Sequence, residues 1–119
     1  MSLWLHRQFK PIRIDLARFK GDEAFAEAFV GFDDLSIPRF MMVRWDAFKD
    51  FLVAKPSGRE AAVVEELAAR IQAGEDVPPL VRDAQAVFDG RLRAWAAKSA
   101  GIRWAPAIDI STCWQGVGR

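Results

Sequence analysis

The chain has 119 residues, is 51% apolar and 28% charged, and carries a formal net charge of +1. That is a globular composition, and it argues against disorder and against a broad nucleic-acid-binding surface. A single cysteine, Cys113, excludes an internal disulfide and suits a reducing cytoplasm, and no apolar run is long enough to cross a membrane.

The start, MSLWLHRQFK, lacks the continuous apolar region and cleavage site of a signal peptide, and Trp4 and Phe9 can anchor it to the core or to a partner. His6, the one histidine, reads as a surface residue, and with a single distant cysteine it does not make a zinc site. Residues 11–16, PIRIDL, alternate apolar and polar side chains and predict a half-buried strand. Asp22 can cap a short helix from Glu23 to Val30 that Gly31 ends. Phe32 to Pro38 reads as loop and residues 39–43 as strand, after which Trp45, Phe48, Phe51 and Leu52 have helical spacing up to Pro56. The phenylalanines from Phe25 to Phe51 are core residues by default, or cover a partner surface.

The second half has clearer punctuation. Ser57 and Glu60 form a capping-box pattern, followed by a helix with Val64, Leu67, Ala68 and Ile71 as its buried stripe and Gly74 as its stop. After EDVPP come a short strand at Leu80-Val81-Arg82, a tight turn at Asp83-Ala84, and a return strand at Ala86-Val87-Phe88. A helix then runs from Asp89-Gly90 to about Ala100, with Leu92, Trp95, Ala96 and Ser99 on one face and Gly101 as its stop. Arg103 to Ile110 reads as a last strand, broken or placed at an edge by Pro106. Mixed strands and helices predict an α+β fold, a compact mixed β-sheet with flanking helices.

The segment Asp89-Gly90-Arg91-Leu92-Arg93 is the centre of any small-anion site. Glycine permits positive φ and leaves backbone N–H groups uncovered, and the following helix points its free N–H groups and positive end at the turn. Arg91 and Arg93 add forked donors suited to phosphate or carboxylate, and Asp89 is placed to cap the helix and hold the loop open. The local balance agrees: from Arg82 to Arg119 six basic residues face three acids, net +3, which leaves −2 for residues 1–81. On residues alone the segment also reads as a capped helix with two solvent-facing arginines. Neither a P-loop nor a dinucleotide glycine triad is present. Cys113 lacks an activating environment in sequence and reads as an inert thiol. Asp33-Asp34 and Glu65-Glu66 read as turn and helix surface rather than acid/base pairs.

In order, PIRIDL, VVEELAARIQAG, VPPLVRDAQAVFDG and DGRLRAWAAKSAGIRWAPAIDI resemble the ParB/sulfiredoxin superfamily, with the densest resemblance over residues 57–110. The resemblance implies one domain over 1–119, with residues 17–55 as a divergent or inserted aromatic-rich region. It further implies that this loop binds phosphate, with Gly90 at the family's loop glycine, Arg93 at its shared arginine and Asp89 at the preceding acid; with Arg91 added on its own charge and place at the helix start, the expected phosphate-binding residues are Gly90, Arg91 and Arg93. A nucleotide is the cofactor-like ligand it suggests. Leu92 stands where family members carry His or Arg, and Arg91 where sulfiredoxins carry their nucleophilic Cys and partition proteins Glu, so the implied activity is binding with weak or no catalysis, in a plasmid, phage or bacterial protein. Two other readings remain: a noncatalytic interaction module with an apolar patch around Phe25–Phe51 or at Trp104 and Trp114, and a small DNA-processing nuclease, disfavoured by charge and by the lack of a metal cluster.

Overall fold

A computed structural model describes residues 2–6, 8–19, 21–27, 29, 37–84 and 86–113. Its strands are β1 (Ile12–Asp15), β2 (Phe40–Asp46), β3 (Leu80–Asp83), β4 (Ala86–Asp89) and β5 (Ala105–Asp109), and its helices α1 (Glu23–Glu27), α2 (Arg59–Gln72) and α3 (Arg91–Ser99). The strands make a five-stranded mixed sheet in the order β1-β2-β5-β3-β4, antiparallel except for the parallel pair β3–β5. This is the α+β class with a mixed sheet that the residue patterns predict.

Residues 12–15 of the predicted first strand pair with β2, from Ile12↔Val43 to Asp15↔Phe40. Asp22 caps α1 as expected: its Oδ1 accepts the Phe25 N–H at 3.1 Å. The predicted stop at Gly31 lies outside the described residues.

The helix expected from Trp45 onward does not form. Trp45 and Asp46 continue β2, paired with Pro106 and Ala105, and only a 3₁₀ turn at Lys49–Phe51 follows. Both spacings suit this stretch, and sheet pairing decides between them. In the extended form Met41, Val43 and Trp45 enter the core at every second position, and Trp45 Nε1 donates to the Leu3 carbonyl at 3.0 Å. Phe48 and Phe51 still reach the core through the 3₁₀ turn. β2 falls within the aromatic-rich stretch 17–55 and is an interior strand.

The capping box at Ser57 is also replaced. Gly58, at φ +57°, holds the cap position of α2; the Glu60 N–H donates to the Ser57 carbonyl, and the Glu60 carboxylate turns to α3. Ala68 and Ile71 are buried, Val64 and Leu67 half-buried. The buried face of α3 is rotated from expectation: Arg93, Ala94, Ala96 and Ala97 face inward, while Leu92 and Trp95 are half-buried and Ser99 is exposed. The alanines let α3 pack closely, and Trp95 stays at the rim, where its Nε1 donates to the Val53 carbonyl at 3.0 Å. Nor is β5 an edge strand. Pro106 is accommodated inside the sheet because the β3 ladder begins one residue later, at Leu80↔Ala107.

The β3–β4 hairpin places Ala84 at φ +54°, a costly conformation for a residue with a Cβ. Asp109 at the end of β5 holds that turn: its Oδ1 accepts the Ala84 N–H at 3.0 Å and the Ser111 N–H at 2.9 Å. Partial burial alone would raise the Asp109 carboxyl, but the Ser111 N–H and hydroxyl, the Ala84 N–H and the Arg82 guanidinium together hold it below the ordinary carboxylate value. A depressed folded-state value stabilises the fold above the unfolded-state value, and that stabilisation is lost as pH falls through the folded-state one. Asp109→Asn is therefore expected to lower stability at neutral pH, with the deficit against wild type shrinking as pH drops below the ordinary carboxylate range. Urea unfolding at a series of pH values measures this, and a deficit that does not change with pH would refute it.

Candidate functional site

Edge strand β4 ends at Asp89, opposite Val81 of β3, and the chain turns at Gly90 directly into α3. Gly90 adopts φ +121°, and a Cβ there would meet Leu80 Cδ2 at 2.6 Å and Leu80 Cα at 3.3 Å. The turn thus lies against the first residue of β3, and only glycine fits on both counts. Gly90 itself takes the cap position of α3, and its carbonyl accepts the Ala94 N–H at 2.8 Å. The N–H groups of Arg91, Leu92 and Arg93 precede any intrahelical acceptor and mark the positive end of the helix.

Asp89 is not the cap it was expected to be. Its Oδ2 accepts from Arg93 Nη2 at 2.8 Å, one turn along α3, so it orients the loop by holding a side chain. Nor do the two arginines face solvent. Arg93 is buried, with its side chain only 9% exposed; Nη2 also donates to the Pro79 carbonyl at 3.0 Å, and the guanidinium carbon lies 5.6 Å from the centre of the Phe25 ring. Its Nε is buried and has no hydrogen-bond partner among the described residues. Arg91 makes a bidentate pair with Glu60 of α2, 2.9 Å on each arm.

Asp89, Gly90, Arg91 and Arg93 all line one cavity of about 400 Å³, walled by Asp22 and Ala24 from the α1 end and by Val63, Glu66, Leu67 and Arg70 from α2. Three arginines and three carboxylates therefore share the wall, above an apolar strip of Val63, Leu67 and Leu92. A larger hollow of about 800 Å³ runs beside β2, past Phe40, Met42, Arg44 and Arg82 and the acids Asp46, Asp50 and Asp109. Among its described lining residues there is neither an α-helix N-terminus nor an unpartnered buried donor, so the smaller cavity at Gly90 is the stronger candidate.

The four loop residues stand together in the sequence, but the partners that fix the arginines, Glu60, Phe25 and Pro79, do not. Only the packing of α2, α1 and the pre-β3 segment supplies them; Asp22 and Glu60 had local signals, but as helix caps and not as parts of this site. Other candidates separate from the site. Cys113 is buried, and burial, opposed in part by the Thr112 hydroxyl and reinforced by Asp109, pushes its thiol up, away from a reactive thiolate. His6 is half-buried and stacks on Trp45 at 4.9 Å, so it closes the edge of the core rather than standing free on the surface. Phe25, Phe48 and Phe51 are buried and Phe40 is exposed. Glu65 is exposed on α2, whereas its neighbour Glu66 reaches the cavity wall. Asp33, Asp34 and Trp114 lie outside the described residues. Among the described residues no group of three His, Cys, Asp or Glu side chains could hold a metal, and no helix is long and apolar enough to cross a membrane.

The close approach of the loop to Leu80 has a measurable cost. Gly90→Ala combines positive φ with a steric clash and is expected to lose about 2–4 kcal/mol. Gly101→Ala, at φ +77° with nothing within 4 Å, should lose only about 1 kcal/mol. Equal losses in denaturant titrations would show that Leu80 does not crowd the loop. Comparison of the chain with protein-family models, with curated proteins and with solved structures finds no match.

Proposed function

We propose that the chain is a ParB/sulfiredoxin-like protein that binds a small phosphate-bearing ligand, such as a nucleotide, at Gly90, Arg91 and Arg93, with weak or no catalysis. The observation that carries this reading is the buried Arg93 guanidinium, its Nε without a partner among the described residues, close beside Gly90 at the N-terminus of α3. A phosphate seated over that helix end would accept backbone N–H bonds while Arg93 adds a fixed positive charge below. The body of the ligand would lie against Val63, Leu67 and Leu92.

The carboxylates of Asp22 and Glu66 stand on the same wall and repel any further negative charge, which favours one well-seated phosphate group over an extended polyanion. The residues at the loop support binding with weak or no catalysis: Leu92 carries no proton-transfer group, and Arg91 is engaged with Glu60.

Arg93→Ala is a poor probe of this reading. It would leave Asp89 and the Pro79 carbonyl without their donor and cost about 3 kcal/mol or more of stability. The informative variants are Arg91→Glu, which places an acid at the helix end, and Glu66→Gln, which removes one from the wall. Thermal-shift titrations with inorganic phosphate, nucleoside monophosphates and nucleoside triphosphates should raise the melting temperature by several degrees at about 100 times Kd. Matched ionic strength in sodium chloride should not. Arg91→Glu should abolish the shift and Glu66→Gln should enlarge it. Absence of any phosphate-dependent shift, or a shift indifferent to both variants, would refute the assignment.

A further inference from the structure

The N-terminal segment is fastened to the body of the protein at several points. Trp4 is buried, its Nε1 donates to the Val77 carbonyl at 2.8 Å, and its N–H donates to Ser2 Oγ at 3.3 Å. The Ser2 hydroxyl donates in turn to the Glu75 carbonyl at 3.4 Å, and the Leu3 carbonyl accepts from Trp45. The next residues nevertheless turn apolar side chains outward. Leu5 is 46% exposed, Phe9 51%, and Trp104, which precedes β5, 46%. These three line one hollow of about 450 Å³, completed by Trp4, His6, Ile102 and Arg103.

A lone exposed leucine needs no explanation, but three large apolar side chains around one preformed hollow do. The hollow is large enough for a bulky side chain and its neighbours. Its charge has one sign. Arg103 stands in the wall, Lys10 follows Phe9 on exposed chain, and neither makes an ion pair among the described residues. Among the described residues no carboxylate lines it, and none of its lining residues is shared with the cavity at Gly90.

We infer that this hollow is a docking surface for an acidic segment of another protein, which inserts an aromatic or aliphatic anchor over Trp4 and sets carboxylates beside Arg103 and Lys10. The charge favours this occupant. A second copy of the chain, joined across a two-fold axis, would bring the same cationic patch against itself. A lipid surface takes protruding side chains, whereas here the apolar groups surround a depression with a fixed floor.

The test is a selection of random short peptides displayed on phage against the full chain, followed by fluorescence anisotropy of the enriched peptides. The expected peptides combine an aromatic residue or leucine with flanking Asp or Glu. Trp104→Ser should weaken them at least about tenfold, as loss of a central aromatic does. Arg103→Glu should weaken them further as their acid content rises. Val87→Ser, which alters an exposed apolar residue outside the hollow, should leave binding unchanged. Because Trp104 is exposed, its variant should keep the wild-type melting temperature, which separates lost binding from lost folding. Failure to enrich acidic, anchored peptides, or binding indifferent to Trp104, overturns the inference. So does a dimer in sedimentation that Trp104→Ser dissolves, or binding to phosphatidylserine vesicles in place of peptides.

Discussion

The burial of one guanidinium organises this molecule. Taking a charged side chain out of water costs several kcal/mol unless its donors are met. At Arg93 the acceptors come from separate parts of the chain: the carbonyl of Pro79 ahead of β3 and the carboxylate of Asp89 at the end of β4, with the ring of Phe25 from α1 beside them. Each acceptor is placed by something independent. Two successive prolines set the backbone that presents the Pro79 carbonyl, β-pairing with Val81 sets Asp89, and one helical turn sets the distance from Asp89 to Arg93. The loop at Gly90 is thus fixed by its surroundings on every side, including from below by Leu80.

The two loop arginines have separate tasks. Arg93 belongs to the interior and joins the sheet to α3 and α1. Arg91 lies at the surface and joins α3 to α2 through Glu60. A half-exposed ion pair of this kind contributes little to stability, about 1 kcal/mol or less. Its effect is geometric, since it ties the first residue of α3 to the first turn of α2 beside the cavity. Because Glu60 is used here, the start of α2 is capped by backbone at Gly58 instead of by a reciprocal side-chain box.

Most of the chain from Arg59 to Asp109 was legible in the sequence, because its elements carry their own punctuation: Gly74 and Gly101 at positive φ after α2 and α3, and paired prolines before β3. The stretch from Trp45 was not. Trp45 continues the strand alternation of Met41 and Val43 and also has helical spacing with Phe48, Phe51 and Leu52, and the choice is made by β5, far away in sequence. Pro106 misled for the same reason, since whether a proline can sit inside a sheet depends on where the neighbouring ladder begins. At the loop, the sequence carried Gly90 and the two arginines but not their environment. A buried arginine and a half-buried one look alike in a one-dimensional pattern, and the difference lies in Phe25, Pro79 and Glu60.

The alanines on the inner face of α3 have a consequence for how the protein tolerates change. Ala94, Ala96 and Ala97 have no exposed surface, and Gly90 has no room even for a methyl group. Larger side chains at these positions would push α3 away from the sheet and break the alignment of Arg93 with Asp89. Val63 and Leu92 on the cavity wall are exposed or half-buried, so they can vary in size without moving the helix. Scaffold and cavity shape are therefore written in different residues, and the shape of the cavity can drift while the loop beside it stays as it is.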